Sequence, residues 1–437
     1  MKRIDTQQFK TKITVKKDSA SVKGFLLMEN NLTPVIENIG FAEEPIFNDD
    51  ILNEGAPNVT PASEVSNGKG GYYTGYDIND GSYNIDALFY DSEVGNQTKV
   101  FAYMGVPKKD ADGNEVSASN KVPAVVLVHG GAGYAFKDWV KKWNDRGVAA
   151  IAMSLSGDGP DATGQNTAIH PYAGQWCWDD NGKAFLKDFE NAAMYQNVLN
   201  VIRAHNLIRS LDTVDANNTA ITGISWGGIT TTTVIGIDSR FKFAIPCYGT
   251  GYLDQSRTYF ENAYTQADRS ANWDPANFAA NAQMPVLYVN GDSDEHFSVN
   301  ITTLTSDVTP NSKISVHHKL THGYEPIWNM EMIYKYAMNM FNNTDPLLSI
   351  SNENADGGVF TFDYSTLQGT AIENAAMYYI TSDDLGYGGD VEWNTVSQYT
   401  NSNSQISFNI PNGATHLYAS VTDNNGYTVS TRYISAK

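Results

Sequence analysis

Six short, apolar strand-like runs recur between residues 122 and 318, and the segments between them carry helical spacing. The runs are Val122 to Val128, Val148 to Met153, Ala220 to Ile224, Phe243 to Cys247, Pro285 to Val289 and Ile314 to His318. The first two are continuously apolar, as expected of strands covered by helices on both faces. Between them, Phe189 to Ile208 places Ala192, Tyr195, Leu199, Ile202 and Leu207 near helical spacing, and Ile327 to Phe341 reads as another helix. The alternation predicts an α/β chain with a doubly wound, mostly parallel sheet.

At 437 residues the chain exceeds one compact core, and its texture divides it in three. Residues 1–115 are turn-rich, with strand-like runs at Lys12 to Val15, Ala87 to Tyr90 and Val100 to Met104, and read as an N-terminal extension packing on the α/β region. Residues 116–345 hold the α/β pattern. Residues 346–437 show strand candidates at Val359 to Tyr364, Ala376 to Thr381, Ile406 to Ile410, Leu417 to Val421 and Tyr427 to Ile434. Gly, Asn and Asp turns separate them, which predicts an all-β sandwich as an accessory domain.

The net charge of −20 would repel nucleic acid and anionic lipid, so neither nucleic acid nor membrane is an expected partner. An acidic surface rich in Tyr, Asn and Thr is compatible with a neutral polymer such as polysaccharide. Cys177 and Cys247 form no CxxC pair and no Cys/His cluster, so they read as free thiols with no zinc site. Met1 to Ala20 contains basic residues but no apolar core, so no signal peptide is visible and the compartment stays open. The oligomeric state stays open too.

The chemistry gathers at Ile221-Thr222-Gly223-Ile224-Ser225-Trp226-Gly227-Gly228. A β-branched strand runs into Gly-x-Ser-x-Gly-Gly and then into the helix-compatible Ile229 to Ile235, the strand–turn–helix setting of a nucleophile elbow. Gly223 and Gly227 are expected where backbones crowd too closely for a Cβ. Ser225 is the candidate nucleophile. About a hundred residues earlier, His129-Gly130-Gly131-Ala132-Gly133 ends a buried strand, and its small residues would let amides approach an oxyanion. The oxyanion hole is assigned to the amides of Gly131 and Trp226, with Ala132 as a third, and His129 to bracing the loop. No Gly-Lys-Ser/Thr ending supports the competing phosphate loop.

An acid and a base should come after the nucleophile in the order Ser, Asp, His. The loop after Pro285 to Val289 offers Asp292 and Asp294; the Gly-x-x-Asp spacing favours Asp294 and keeps Asp292 in reserve. His322, in a loop after the last apolar run, is the candidate base. His317 and His318 are placed within the strand, His205 on the long helix and His416 in the β domain; His170 and His296 are loop residues that could line the pocket, with a surface place the preferred reading. Tyr172, Trp176, Trp178, Tyr248 and Tyr252 form an aromatic group, of which Trp176, Trp178 and Tyr248 are candidate substrate contacts. The mechanism implied needs neither metal nor organic cofactor.

These motifs, with Phe136 to Trp143, Val214-Asp215, Asp238-Ser239-Arg240-Phe241-Lys242 and His322-Gly323, resemble the acetyl xylan esterase and dienelactone-hydrolase-like branch of the α/β-hydrolases, close to prolyl-oligopeptidase-type catalytic domains. The resemblance covers about residues 95 to 345. It implies a serine carboxylesterase, and a small ester or acylated polysaccharide such as xylan as substrate. Ala132 departs from the glycine that relatives often carry there. The C-terminal region resembles immunoglobulin- or fibronectin-like domains. Two other readings are a prolyl-oligopeptidase-like peptidase and an inactive carbohydrate-binding protein. Such peptidases carry a large β-propeller, which a hundred irregular residues would not supply. A dienelactone hydrolase proper would use cysteine where Ser225 stands.

Overall fold

A computed structural model describes residues 50–73, 83–92, 97–131, 133–160, 166–174, 192–265, 267–382 and 391–436, with backbone strands at 23–26, 35–38 and 78–79. Eight strands form the middle of a larger sheet: β1 (Tyr83–Asp91), β2 (Lys99–Pro107), β3 (Val122–Val128), β4 (Ala149–Met153), β5 (Val214–Ile224), β6 (Phe243–Cys247), β7 (Val286–Gly291) and β8 (Ser312–His317). Their spatial order is β1-β2-β4-β3-β5-β6-β7-β8. β2 runs antiparallel to both β1 and β4, and every later neighbour is parallel. The six apolar runs are therefore β3 to β8, and β1 and β2 come from ahead of residue 116. Every residue of β4, β6 and β7 is buried, as the uninterrupted apolar pattern requires.

The helices that matter for the site are α1 (Lys137–Asn144), α2 (Ala193–Arg209), α3 (Trp226–Val234), α4 (Val299–Val308) and α5 (Glu331–Phe341). The helix expected over Ile327 to Phe341 is two: a short one at Tyr324–Trp328 and α5, with Asn329 closing the first. β5 starts earlier than its apolar core, because its polar first half pairs only at Val214 before a register break leads to Thr219. β8 ends at His317, so His318 lies in the turn after it and not within the strand as expected.

The C-terminal region is all-β and continues the central sheet. Its strands are β9 (Ser349–Asp356), β10 (Val359–Ser365), β11 (Ile372–Ile380), β12 (Asn394–Val396), β13 (Thr400–Ser402), β14 (Gln405–Asn409), β15 (His416–Asp423) and β16 (Thr428–Ser430). One sheet runs β9-β10-β14-β13; the other runs β12-β11-β15-β16 and joins β8 through Ile314 opposite Ser430. Side chains complete the seam: the Ser430 hydroxyl accepts from the Val316 amide at 2.9 Å, and the Ser420 hydroxyl donates to the Val316 carbonyl at 2.9 Å. β8 would otherwise offer a free edge of unpaired amides and carbonyls. Phe360, Phe362, Phe408, Met377 and Leu417 are buried in the same apolar cluster as the central sheet. β9, Ser-Ile-Ser-Asn-Glu-Asn-Ala-Asp, escapes sequence reading because it is an exposed strand with few apolar positions.

Candidate active site

Ser225 sits between β5 and α3 with φ 60° and ψ −122°, a conformation costly for any residue with a side chain and worth about 1–3 kcal/mol of strain. Close packing holds it there. The Ser225 amide donates to the Cys247 carbonyl at 2.9 Å. A Cβ on Gly223 would lie 2.2 Å from the Gly227 carbonyl oxygen, and one on Gly227 would lie 2.1 Å from that of Val128. Gly228 is needed for a different neighbour: a Cβ there would meet the Cys247 carbonyl oxygen at 2.6 Å and the Gly249 Cα at 2.7 Å.

The loop after β3 lies directly against this turn. A Cβ on Gly130 would come within 2.6 Å of the Ile224 carbonyl oxygen and 2.9 Å of the Ser225 Cβ. At Gly131 a Cβ would meet nothing within 4 Å, so the loop opens there. His129 is its brace. Nε2 accepts from the Leu155 amide at 2.7 Å, which leaves the proton on Nδ1 to donate to the Gly130 carbonyl at 2.7 Å. Burial pushes its pKa down to about 4, so it stays neutral at physiological pH. Tyr324 has no motif to mark it in the sequence; its hydroxyl reaches the Gly131 carbonyl at 3.4 Å and its ring packs on Phe136. Ala132, Trp176, Trp178 and Cys177 lie outside the described residues.

Three His–Asp pairs occur among the described residues. His205–Asp238, at 2.7 Å, is buried under α2 with Thr219 and Arg240 as further partners. His318–Asp292, at 2.6 Å, faces the C-terminal strands through Tyr418. His322 Nδ1 meets Asp294 Oδ2 at 2.7 Å, with Asp294 fully buried and His322 slightly exposed. The other Asp294 oxygen accepts the His296 and Phe297 amides, both at 2.7 Å. The two competing aspartates thus hold different histidines.

Tyr248 ties this pair to the elbow. It is next in the chain to Cys247, whose carbonyl holds the Ser225 amide; its ring lies 4.8 Å from that of His322, and its hydroxyl donates to the Thr321 carbonyl at 3.0 Å. Burial, then the Asp294 charge, raises the Tyr248 pKa, so the hydroxyl stays a donor. His296 and Phe297 pack on the His322 ring at 4.6 and 5.9 Å, and Phe260 packs on Phe297 at 5.4 Å. His296 is half-buried beside His322, and His170 is buried edge-on against Phe89, so neither is the surface residue expected. Tyr172 and Tyr252 are partly buried and pack on the main core. Among the described residues no three His, Cys, Asp or Glu side chains gather to hold a metal ion.

Residues 177–324, which include Ser225, Asp294 and His322, match the prolyl oligopeptidase family. Together with the strand order and the strained serine after β5, the match decides the fold. The fold is α/β-hydrolase-like. No curated protein sequence matches the hydrolase. Solved structures similar to it include the acetyl xylan esterase from Paenibacillus sp. R4, at 18% identity over 66% of this chain and 90% of that one, TM-score 0.48. Acetyl xylan esterase 1 from Thermoanaerobacterium sp. JW/SL YS485 matches at 15% identity over 67% and 91%, TM-score 0.48. The Pyrococcus horikoshii acylaminoacyl peptidase matches at 18% identity over 60% and 42%, TM-score 0.44. At the level of activity class the chain is a serine hydrolase of the α/β family.

Proposed function

We propose that the chain is a serine carboxylesterase acting on short acyl esters, with Ser225 as nucleophile, His322 as base and Asp294 as the acid that orients it. The observation that carries the reading is the Asp294–His322 bond, joined through Tyr248 to the strained turn that presents Ser225. The Nδ1 of His322 is committed to Asp294, which leaves Nε2 to take the serine proton. In the proposed reaction Ser225 Oγ attacks the ester carbonyl as His322 accepts its proton. The amides of Gly131 and Trp226 hold the oxyanion; Trp226 is the first residue of α3, where the helix end favours negative charge. His322 protonates the departing alcohol, and water then cleaves the acyl-enzyme. Proton transfer requires Ser225 Oγ and His322 Nε2 to come within hydrogen-bond reach in the substrate complex.

Tyr248, Phe260 and Phe297, all buried around His322, favour a small acyl group such as acetyl. The alcohol side is proposed to be an acylated polysaccharide, which the acidic surface suits. The C-terminal strands are proposed to form an immunoglobulin- or fibronectin-like accessory domain. A peptidase is the second reading, favoured by the family match over residues 177–324.

The test is release of nitrophenol from p-nitrophenyl esters of increasing chain length, beside Ser225→Ala. Release that depends on Ser225 and falls with chain length is expected. Full turnover by Ser225→Ala would overturn the assignment, and cleavage of peptide substrates in preference to esters would favour the peptidase.

A further inference from the structure

We infer that the C-terminal β region is a positioning element of the active site, with Tyr418 and Trp393 acting through Asp292 on the two loops that carry Asp294 and His322. The inference rests on the proposed roles of Asp294 and His322.

Asp292 is fully buried, and each of its oxygens is occupied. Oδ1 accepts from the Lys319 amide at 2.7 Å and the Ser293 hydroxyl at 3.3 Å. Oδ2 accepts from His318 Nδ1 at 2.6 Å and the Tyr418 hydroxyl at 2.8 Å, while the Asp292 carbonyl accepts from Trp393 Nε1 at 2.9 Å. Tyr418 and Trp393 come from the C-terminal region, and their rings meet edge to face at 5.0 Å. Tyr378 of β11 stacks between Tyr418, at 5.1 Å, and His318, at 4.4 Å. One carboxylate therefore joins three parts: the start of the acid loop, two residues before Asp294; the start of the base loop, three and four residues before His322; and the C-terminal sheet.

Adhesion between two β layers needs only apolar contact. A buried carboxylate costs desolvation that its donors must offset, and what such groups supply is a fixed geometry. The geometry fixed here is that of strained backbone. Lys319, whose amide Asp292 holds, has φ 61°. The two loops also touch with no slack, since a Cβ on Gly291 would lie 1.9 Å from the Leu320 carbonyl oxygen. A shift at Asp292 is thus passed to both Asp294 and His322, and displacement of a catalytic group by about 1 Å is enough to cost on the order of 10²-fold in rate.

The experiment compares the full-length chain with Tyr418→Phe and Trp393→Phe, each of which removes one donor and keeps an aromatic ring. Active sites are counted by titration with a fluorophosphonate, so misfolded molecules do not enter the rate. The expected result is a kcat per titrated site for p-nitrophenyl acetate lowered about tenfold, with KM little changed, the signature of an interaction felt in the transition state. Tyr427→Phe serves as control: its hydroxyl lies in the same region but accepts from Asn339 of α5 at 3.0 Å, and its kcat should match the parent. Parent kcat per titrated site in both donor variants would overturn the inference, whatever their melting temperatures. Failure of the parent to titrate at Ser225 would instead overturn the reading of the site itself, and the inference with it.

Discussion

Replacing Asp294 by Asn changes one atom, and the hydrogen bonds around it dictate which way the new amide must face. Asp294 Oδ1 accepts two backbone amides, those of His296 and Phe297, at 2.7 Å each. Turning an NH2 group toward them would leave two buried donors unpaired, at about 1–3 kcal/mol each. The amide therefore settles with its oxygen on the backbone and its NH2 toward His322 Nδ1. That ring nitrogen must then accept, which moves the imidazole proton to Nε2, where it blocks uptake of the proton from Ser225. The wrong tautomer in an otherwise intact serine triad costs ~10⁴-fold in kcat, which is about 5.4 kcal/mol of transition-state stabilisation. Asp292→Asn should instead cost about tenfold, because it acts only through position. Steady-state hydrolysis of p-nitrophenyl acetate, normalised to folded protein by circular dichroism, checks both. Retention of more than about 1% of parent kcat by Asp294→Asn, four decades being expected, would refute the tautomer argument. A deeper loss in Asp292→Asn would move the acid to Asp292.

Backbone packing and burial set two further outcomes. Gly227→Ala places a methyl 2.1 Å from the Val128 carbonyl oxygen, both on rigid backbone, and should lower stability by about 3 kcal/mol or more, read as a fall in denaturant midpoint; an unchanged midpoint would show that the turn can relax. For His129, burial lowers the folded pKa from 6.5 to about 4, so below pH 6.5 the unfolded chain takes a proton that the folded chain refuses. Parent stability should fall relative to His129→Gln as pH drops from 6.5 to about 4 and run parallel to it above 6.5; curves parallel throughout would contradict a neutral, braced His129.

Much of the site was legible because its chemistry is local. Gly223, Ser225, Gly227 and Gly228 announce a turn whose backbones crowd, and each of the three glycines proves to have a backbone atom where a Cβ would go. His322 was proposed from its place after the last apolar run, and Asp294 from its distance to Gly291 with Asp292 in reserve; the fold pairs His322 with Asp294. Other residues gave no signal. Tyr324 and Phe297 are ordinary neighbours of known motifs, and only the folded loops turn them toward Gly131 and His322. β1 and β2 showed only their apolar cores, and β9 showed nothing, since an exposed strand needs no apolar alternation.

The sequence by itself determined the mostly parallel sheet and the strand–turn–helix around Ser225, because periodicity and steric need act over a few residues. Tertiary structure alone decided which of two aspartates two positions apart holds which of two histidines four positions apart. It also decided that the C-terminal strands extend the central sheet and reach Asp292, because pairing between residues more than a hundred positions apart leaves no local trace.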